Sequence, residues 1–246
     1  MAEYLKWDQD SKRYYETGTS HGVLYVKKAN GTYDYGVAWN GLTAFSESPS
    51  GAEETELYAN DKKYGSLRSA EKFGGTIEAY TYPEEFEQCD GSMEVATGVT
   101  IGQQPRSAFG FTYRTVVGND VSDDFGYKLH IIWNASVSPS EKSYASINDS
   151  PEAITFSWEL ATTPTEVTVG GVKKYTASMV IDTTKLTNGK NNAQLKALEA
   201  TLYGVEGVEA DAQANPPIEA VTEVKPTLPT PDEVIALMTP AQSSSQ

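Results

Sequence analysis

Residues 18–22, Gly-Thr-Ser-His-Gly, carry the spacing of a serine-hydrolase nucleophile elbow. That chemistry needs a buried strand before the serine and a helix after it, so that the hydroxyl stands on a strained turn. Here the motif follows a polar stretch and leads into a strand-like run. His130, the one histidine beyond it, sits among alternating residues on what reads as a polar face. Ser20 therefore reads as part of a strand-entry turn rather than as a nucleophile. Two histidines and one cysteine, Cys89, are too few for a structural zinc site without carboxylates taking over. The segment 118–126, GNDVSDDFG, has the composition of a calcium loop but neither the spacing nor the closing glutamate of an EF-hand. A pair of catalytic carboxylates carries no information in a chain with 34 acids. No glycine-rich phosphate loop precedes a helix. The expectation is a protein with no catalytic residues, no metal and no cofactor.

The stretch that asks for an explanation is 45–61, FSESPSGAEETELYAND, with five acids (Glu47, Glu53, Glu54, Glu56 and Asp61) and no base inside it. The nearest bases, Lys62, Lys63, Arg68 and Lys72, follow directly. An acidic loop between two strand-like segments, with its bases just beyond, could be a metal site, a carboxylate catalyst, a solvated hairpin tip or a contact with another copy of the chain.

The elements around it are strands. In YKLHIIWNASV, Leu129, Ile131, Trp133, Ala135 and Val137 alternate with polar residues, and only Ile132 breaks the pattern. AITFSWEL and KYTASMVID alternate in the same way, through Ile154, Phe156, Trp158 and Leu160, and through Tyr175, Ala177, Met179 and Ile181. Such a period puts one face on a core and the other in water or against a partner. Segments near 75–82 and 107–117 read similarly. Asn30-Gly31 predicts a hairpin turn, and the parity flip at Asn40-Gly41 predicts a bulge or second turn. Helix signals are few: NNAQLKALEATLYG, with Asn192 as cap and Gly204 as stop, and a short helix in PEEFEQCDG (83–91). The expected fold is mainly β, a β-sandwich or partly closed barrel with one or two flanking helices, over residues 1–204.

From 205 to 246 the chain is acidic and rich in Pro and Ala, without a period, and reads as an extended arm. Its segment 232–238 carries Val234, Ile235, Leu237 and Met238, an apolar patch suited to docking on a neighbouring subunit. The end, TPAQSSSQ, reads as disordered.

The formal charge is −15 over 246 residues, with no basic cluster to neutralise phosphates. Specific nucleic-acid binding is not expected. One cysteine excludes an internal disulfide, and no run reaches transmembrane length. The polar first segment lacks the apolar core of a signal peptide, so the chain reads as soluble and non-secreted, and the glycosylation triplets at Asn30, Asn134 and Asn148 as chance matches.

The run YDYGVAWNGLTAFSESPSGAEETELYANDKKYGSLRSAEKFGGTIEAYTYPEEFEQCDG, followed by GVTIGQQPRSAFGFTYRT, GNDV and YASINDSPEAITFSWE, resembles the major tail proteins of long-tailed, non-contractile bacteriophages infecting Gram-positive bacteria. The likeness is collinear from about Trp7 to Leu202, and PDEVIALM is similar to endings in that family. The resemblance implies a virion structural protein assembled in the host cytoplasm. Such subunits have a β-sandwich core, form hexameric rings and stack into a tail tube through which genomic DNA passes without specific binding. It implies tape-measure, tail-tip and tail-terminator proteins as partners, besides the chain itself, and no membrane. The segment after 205 reads as too short and too proline-rich for the C-terminal immunoglobulin-like domain that some relatives carry. An acidic conduit would repel phosphates over roughly 10 Å at 0.1 M salt. On this reading 46–61 bridges stacked rings, its acids meeting Lys62, Lys63, Arg68 or Lys72 of the next ring. Other readings are a baseplate or tail-completion ring that does not polymerise, a carbohydrate- or receptor-binding sandwich using Trp and Tyr platforms, and a hydrolase built on Ser20.

Overall fold

The computed structural model describes residues 5–144, 146, 153–210 and 220–240. The protein is mainly β. Its strands are β1 (Tyr14–Val26), β2 (Val37–Trp39), β3 (Leu42–Glu47), β4 (Glu54–Ala59), β5 (Lys62–Arg68), β6 (Gly74–Ala79), β7 (Met93–Ala96), β8 (Val99–Ile101), β9 (Phe109–Asn119), β10 (Gly126–Val137), β11 (Phe156–Thr162), β12 (Thr165–Val169), β13 (Val172–Thr176) and β14 (Ser178–Asp182). Among the described residues three α-helices accompany them: α1 (Glu87–Asp90), α2 (Ala193–Tyr203) and α3 (Pro231–Met238).

Eight strands form one antiparallel sheet in the order β2-β1-β9-β10-β11-β6-β3, with β14 also on β10. The ends of that order, β2 and β3, are consecutive in the chain and joined only by Asn40-Gly41, where Gly41 takes φ +73°. The sheet therefore curls until its ends meet, giving a barrel left open between two unpaired edges. Trp39 on β2 closes the seam from inside, meeting Phe86, Phe111 and Trp158 at centroid distances of 4.6, 5.5 and 5.6 Å. Leu24, Ile77, Phe109, Ile132, Trp158 and Leu160 fill the interior, and α1 with the turn before it plugs one end through Phe86 and Cys89. The predicted hairpin at Asn30-Gly31 is present: β1 and β2 pair beyond it, and Gly31 takes φ +88°.

A second core lies on the outer face of β1, β9, β10 and β14. There Leu195, Leu198 and Leu202 of α2 cover Val23, Tyr25, Leu129, Ile131, Trp133 and Ile181. The Asn192 side chain accepts a hydrogen bond from Leu195 N at 3.0 Å, and Gly204 ends the helix, as the sequence predicts.

Two strand readings are corrected. β10 does not keep one apolar face. Leu129, Ile131 and Trp133 enter the second core, whereas Ile132, Ala135 and Val137 line the barrel. The cause is a bulge: Asn134 takes φ +51°, and the register against β9 slips between Ile132 and Ala135. Ile132 is thus the barrel-side residue of a strand buried on both faces. KYTASMVID is not one strand either. It divides at Ala177, whose carbonyl accepts from Trp133 N at 2.9 Å, into β13 of a separate ribbon and β14 of the main sheet.

Beyond Gly204 the described residues fold back on the domain instead of extending from it as an arm. Val205 and Val208 pair with Val224 and Val221, and the chain returns to the domain. Leu228 and Val234 are buried in the second core, where Trp133 Nε1 donates to Pro229 O at 2.8 Å. α3 begins at a capping box formed by Thr230 and Glu233, with Pro231 at its first position.

Candidate functional site

At one end of the barrel sheet, β14, β10, β9 and the first half of β1 continue as a four-stranded antiparallel layer. Lys128–Ile132 pair with Ser178–Asp182, Gly126–Ile132 with Phe111–Val117, and Tyr14–Thr17 with Val116–Asn119. β2 covers β1 only at Gly22–Leu24, and β14 pairs with β10 alone. Among the described residues, both outer edges of this layer, β14 and residues 14–20 of β1, are unpaired. Such edges expose backbone N–H and C=O groups that can template another strand.

One face of the layer is sealed by α2. Arg114 holds the helix down: its guanidinium lies 2.6 Å from Glu199 and 3.0 Å from the Tyr203 hydroxyl, over the rings of Tyr127 and Tyr203. The other face is polar. Glu16 from β1 accepts from Lys128 and Thr115. Burial works to raise its carboxyl, but these hydrogen bonds outweigh it and hold the group below the usual carboxylate range. His130 does not point into solvent as the alternation suggests. It is 9% exposed, stacks on Tyr113 at 4.4 Å, and contacts Thr115 Oγ1 through Nε2 at 3.1 Å. Its Nδ1 is 3.4 Å from Glu47 without an aligned hydrogen bond.

The acidic stretch 45–61 runs from the end of β3 through a link into β4, the first strand of a two-stranded ribbon. Glu47 belongs to β3 and accepts from the Tyr113 hydroxyl at 2.9 Å, apart from the other acids. β4 and β5 form a hairpin turning at Asn60-Asp61, both at positive φ. Lys63 lies 3.5 Å from Glu54 and 2.6 Å from Glu56, and Arg68 lies 3.1 Å from Glu54. These bases serve acids of their own hairpin, so they are not the free partners that the sequence offers to a neighbour. Glu53, Asp61 and Lys62 have no side-chain partner among the described residues. Leu57, Tyr58, Tyr64 and Leu67 are exposed on the same ribbon.

The apolar patch on α3 is seated on its own subunit. Val234 is fully buried, Leu237 and Met238 pack beside it, and Ile235 is half-buried. Residues 241–246 of the C-terminal end and Asn148 lie outside the described residues.

The remaining chemistry-bearing residues do not converge. The Gly-Thr-Ser-His-Gly motif is not a strand-entry turn but a doubly bulged stretch inside β1, with register slips on either side of Ser20 and positive φ at Gly18 and His21. Ser20 Oγ lies 3.0 Å from Nδ1 of the adjacent His21, while His130 is engaged elsewhere. The acids of 118–126 diverge: Asp120 accepts from Ser11 N, Asp123 from the Tyr15 hydroxyl, and Asp124 from Lys190. Among the described residues no group of His, Cys, Asp and Glu is placed to hold a metal ion. Trp133 and Trp158 are at most 1% exposed and offer no platform to a sugar.

No protein-family model and no curated protein matches this chain. Three features were absent from the sequence reading: the unpaired edges of β14 and β1, the burial of His130, and the three ribbons that leave the barrel. The turn signals at Asn60-Asp61, Thr97-Gly98 and Gly170-Gly171 are the cue that marks the ribbons in advance.

Proposed function

We propose that this protein is a self-assembling structural subunit of a phage tail tube. Its four-stranded layer pairs β14 of one copy with the first half of β1 of the next, closing a ring whose stacked copies enclose a conduit for DNA. The observation that carries this reading is the pair of unpaired edges at opposite sides of one layer. A strand edge on each side lets every copy both give and receive a neighbour, and a repeated heterologous contact closes into a ring when the rotation allows. The sealed α2 face would then lie outward and the polar face carrying Glu16, Thr115 and Lys128 inward. The likeness to major tail proteins and the net charge of −15 support the same reading, because a negative wall keeps phosphate from adhering.

The test is negative-stain electron microscopy of the purified protein across a concentration series, beside its mass by light scattering. Rings or striated hollow tubes are expected. A monodisperse monomer at every concentration contradicts the reading.

A further inference from the structure

Three two-stranded ribbons leave the barrel, and each exposes apolar side chains to water. Two strands alone are marginal in water, so covering these side chains with a partner would stabilise the ribbons. β7–β8 exposes Met93, Val95, Val99 and Ile101, with Met93 directly opposite Ile101. β12–β13 exposes Val169 and Val172, directly opposite each other, and Tyr175. By the same register Lys174 shares the face of Val169 and Val172, opposite Val167, which is buried.

Charge distinguishes the three. On β4–β5 three acids are balanced by three bases. The β7–β8 ribbon has Glu94 as its only charge and borders a groove of about 580 Å³ lined by Glu84, Glu87 and Glu94, with no base in the lining. The β12–β13 ribbon is the positive one. Glu166 is paired with Lys173 at 2.7 Å, and Lys174 has no partner among the described residues. In a chain of net charge −15, an apolar ribbon with a spare lysine matches an apolar ribbon beside unpaired glutamates.

We propose that the β12–β13 ribbon of one subunit docks on the β7–β8 ribbon of a second copy. Val169 and Val172 lie against Met93 and Ile101, and Lys174 enters the groove at Glu84 and Glu87. This rests on the self-assembly proposed above and names a contact separate from the β14–β1 edge. Two different patches meet, so the contact is head-to-tail and propagates from copy to copy, supplementing the edge pairing.

The test uses two charge-reversed full-length variants, Lys173→Glu/Lys174→Glu and Glu84→Lys/Glu87→Lys, each checked by thermal melting for an intact fold. Either alone should raise the concentration for half-maximal assembly by about tenfold, because like charges then face each other across the contact. An equimolar mixture should recover wild-type assembly, since each variant's ribbon then meets a groove of opposite sign. If wild type assembles and both variants assemble at its threshold, the docking is overturned while the ring reading stands. Variants that fail singly and also when mixed overturn the pairing of these two surfaces. A wild-type protein that never assembles overturns both proposals together.

Discussion

The His130 imidazole lies flat on the Tyr113 ring, with centroids 4.4 Å apart and planes 8° from parallel. The pair bridges β10 and β9 where the barrel interior turns polar. Glu16 approaches from β1 and Glu47 from β3, while Lys128 stands two residues away on β10 itself. Burial pushes the imidazole below its ordinary range, and Lys128 adds to this. The two glutamates pull the other way without prevailing.

A pH dependence follows from that sign. The unfolded chain takes a proton near the ordinary imidazole value of about 6.5, whereas the folded one resists it to lower pH. The contribution of His130 is therefore fully present above that value and is lost as pH falls below it. Denaturant titrations at pH 7.5 and 5.5 should show a smaller drop for His130→Gln than for wild type. Equal drops would place the acid sensitivity elsewhere.

The barrel seam depends on Trp39 and Trp158, which meet edge to face. Trp158→Ala should cost about 3–5 kcal/mol of unfolding free energy, as a large side chain removed from a closed core does. Chemical denaturation measures it, and a loss under about 1 kcal/mol would mean that the seam collapses without cost.

Ser50 and Lys72 exchange both backbone hydrogen bonds, at 2.9 and 2.7 Å, so the ribbon between them leaves and re-enters the domain at one point. Replacing residues 51–71 by a two-residue hairpin turn should shift Tm by less than about 3 °C. Assembly should fall, because the exposed Leu57, Tyr64 and Leu67 are gone. Unchanged assembly would remove the β4–β5 ribbon from the account.

The segment beyond Gly204 stabilises its own subunit. Truncation there removes Leu228 and Val234 from the second core and the acceptor of the buried Trp133 indole N–H. A loss of at least about 3 kcal/mol is expected from the two apolar side chains and the orphaned donor. A truncated chain that melts with wild type would mean that the segment is only loosely held.

Much of this architecture was legible in the sequence, for identifiable reasons. Asn30-Gly31 encodes its turn by needing positive φ, and Asn192 with Gly204 brackets α2 by local capping. Alternation located β10 and β11 and gave the core face of β11, but not the two faces of β10. The bulge at Asn134 depends on one asparagine adopting positive φ, which composition does not announce, and it sends Ala135 and Val137 to the opposite core from Ile131. The acidic stretch was visible as charge, but its pairing to Lys63 and Arg68 depends on ladder register, which no local pattern sets. The docking of 226–238 on its own domain was hidden because the covering surface is assembled from α2, β12 and Trp133 of β10, the last of these 96 residues before Pro229.

The edge pairing at the centre of the account is tested most directly by electron cryomicroscopy of the assembled protein at a resolution that separates strands. Edge pairing requires a continuous inner wall in which β14 of each copy is hydrogen-bonded to residues 14–20 of the next, with α2 on the outside. Assemblies joined through their helices or ribbons, with both strand edges left bare, would contradict it.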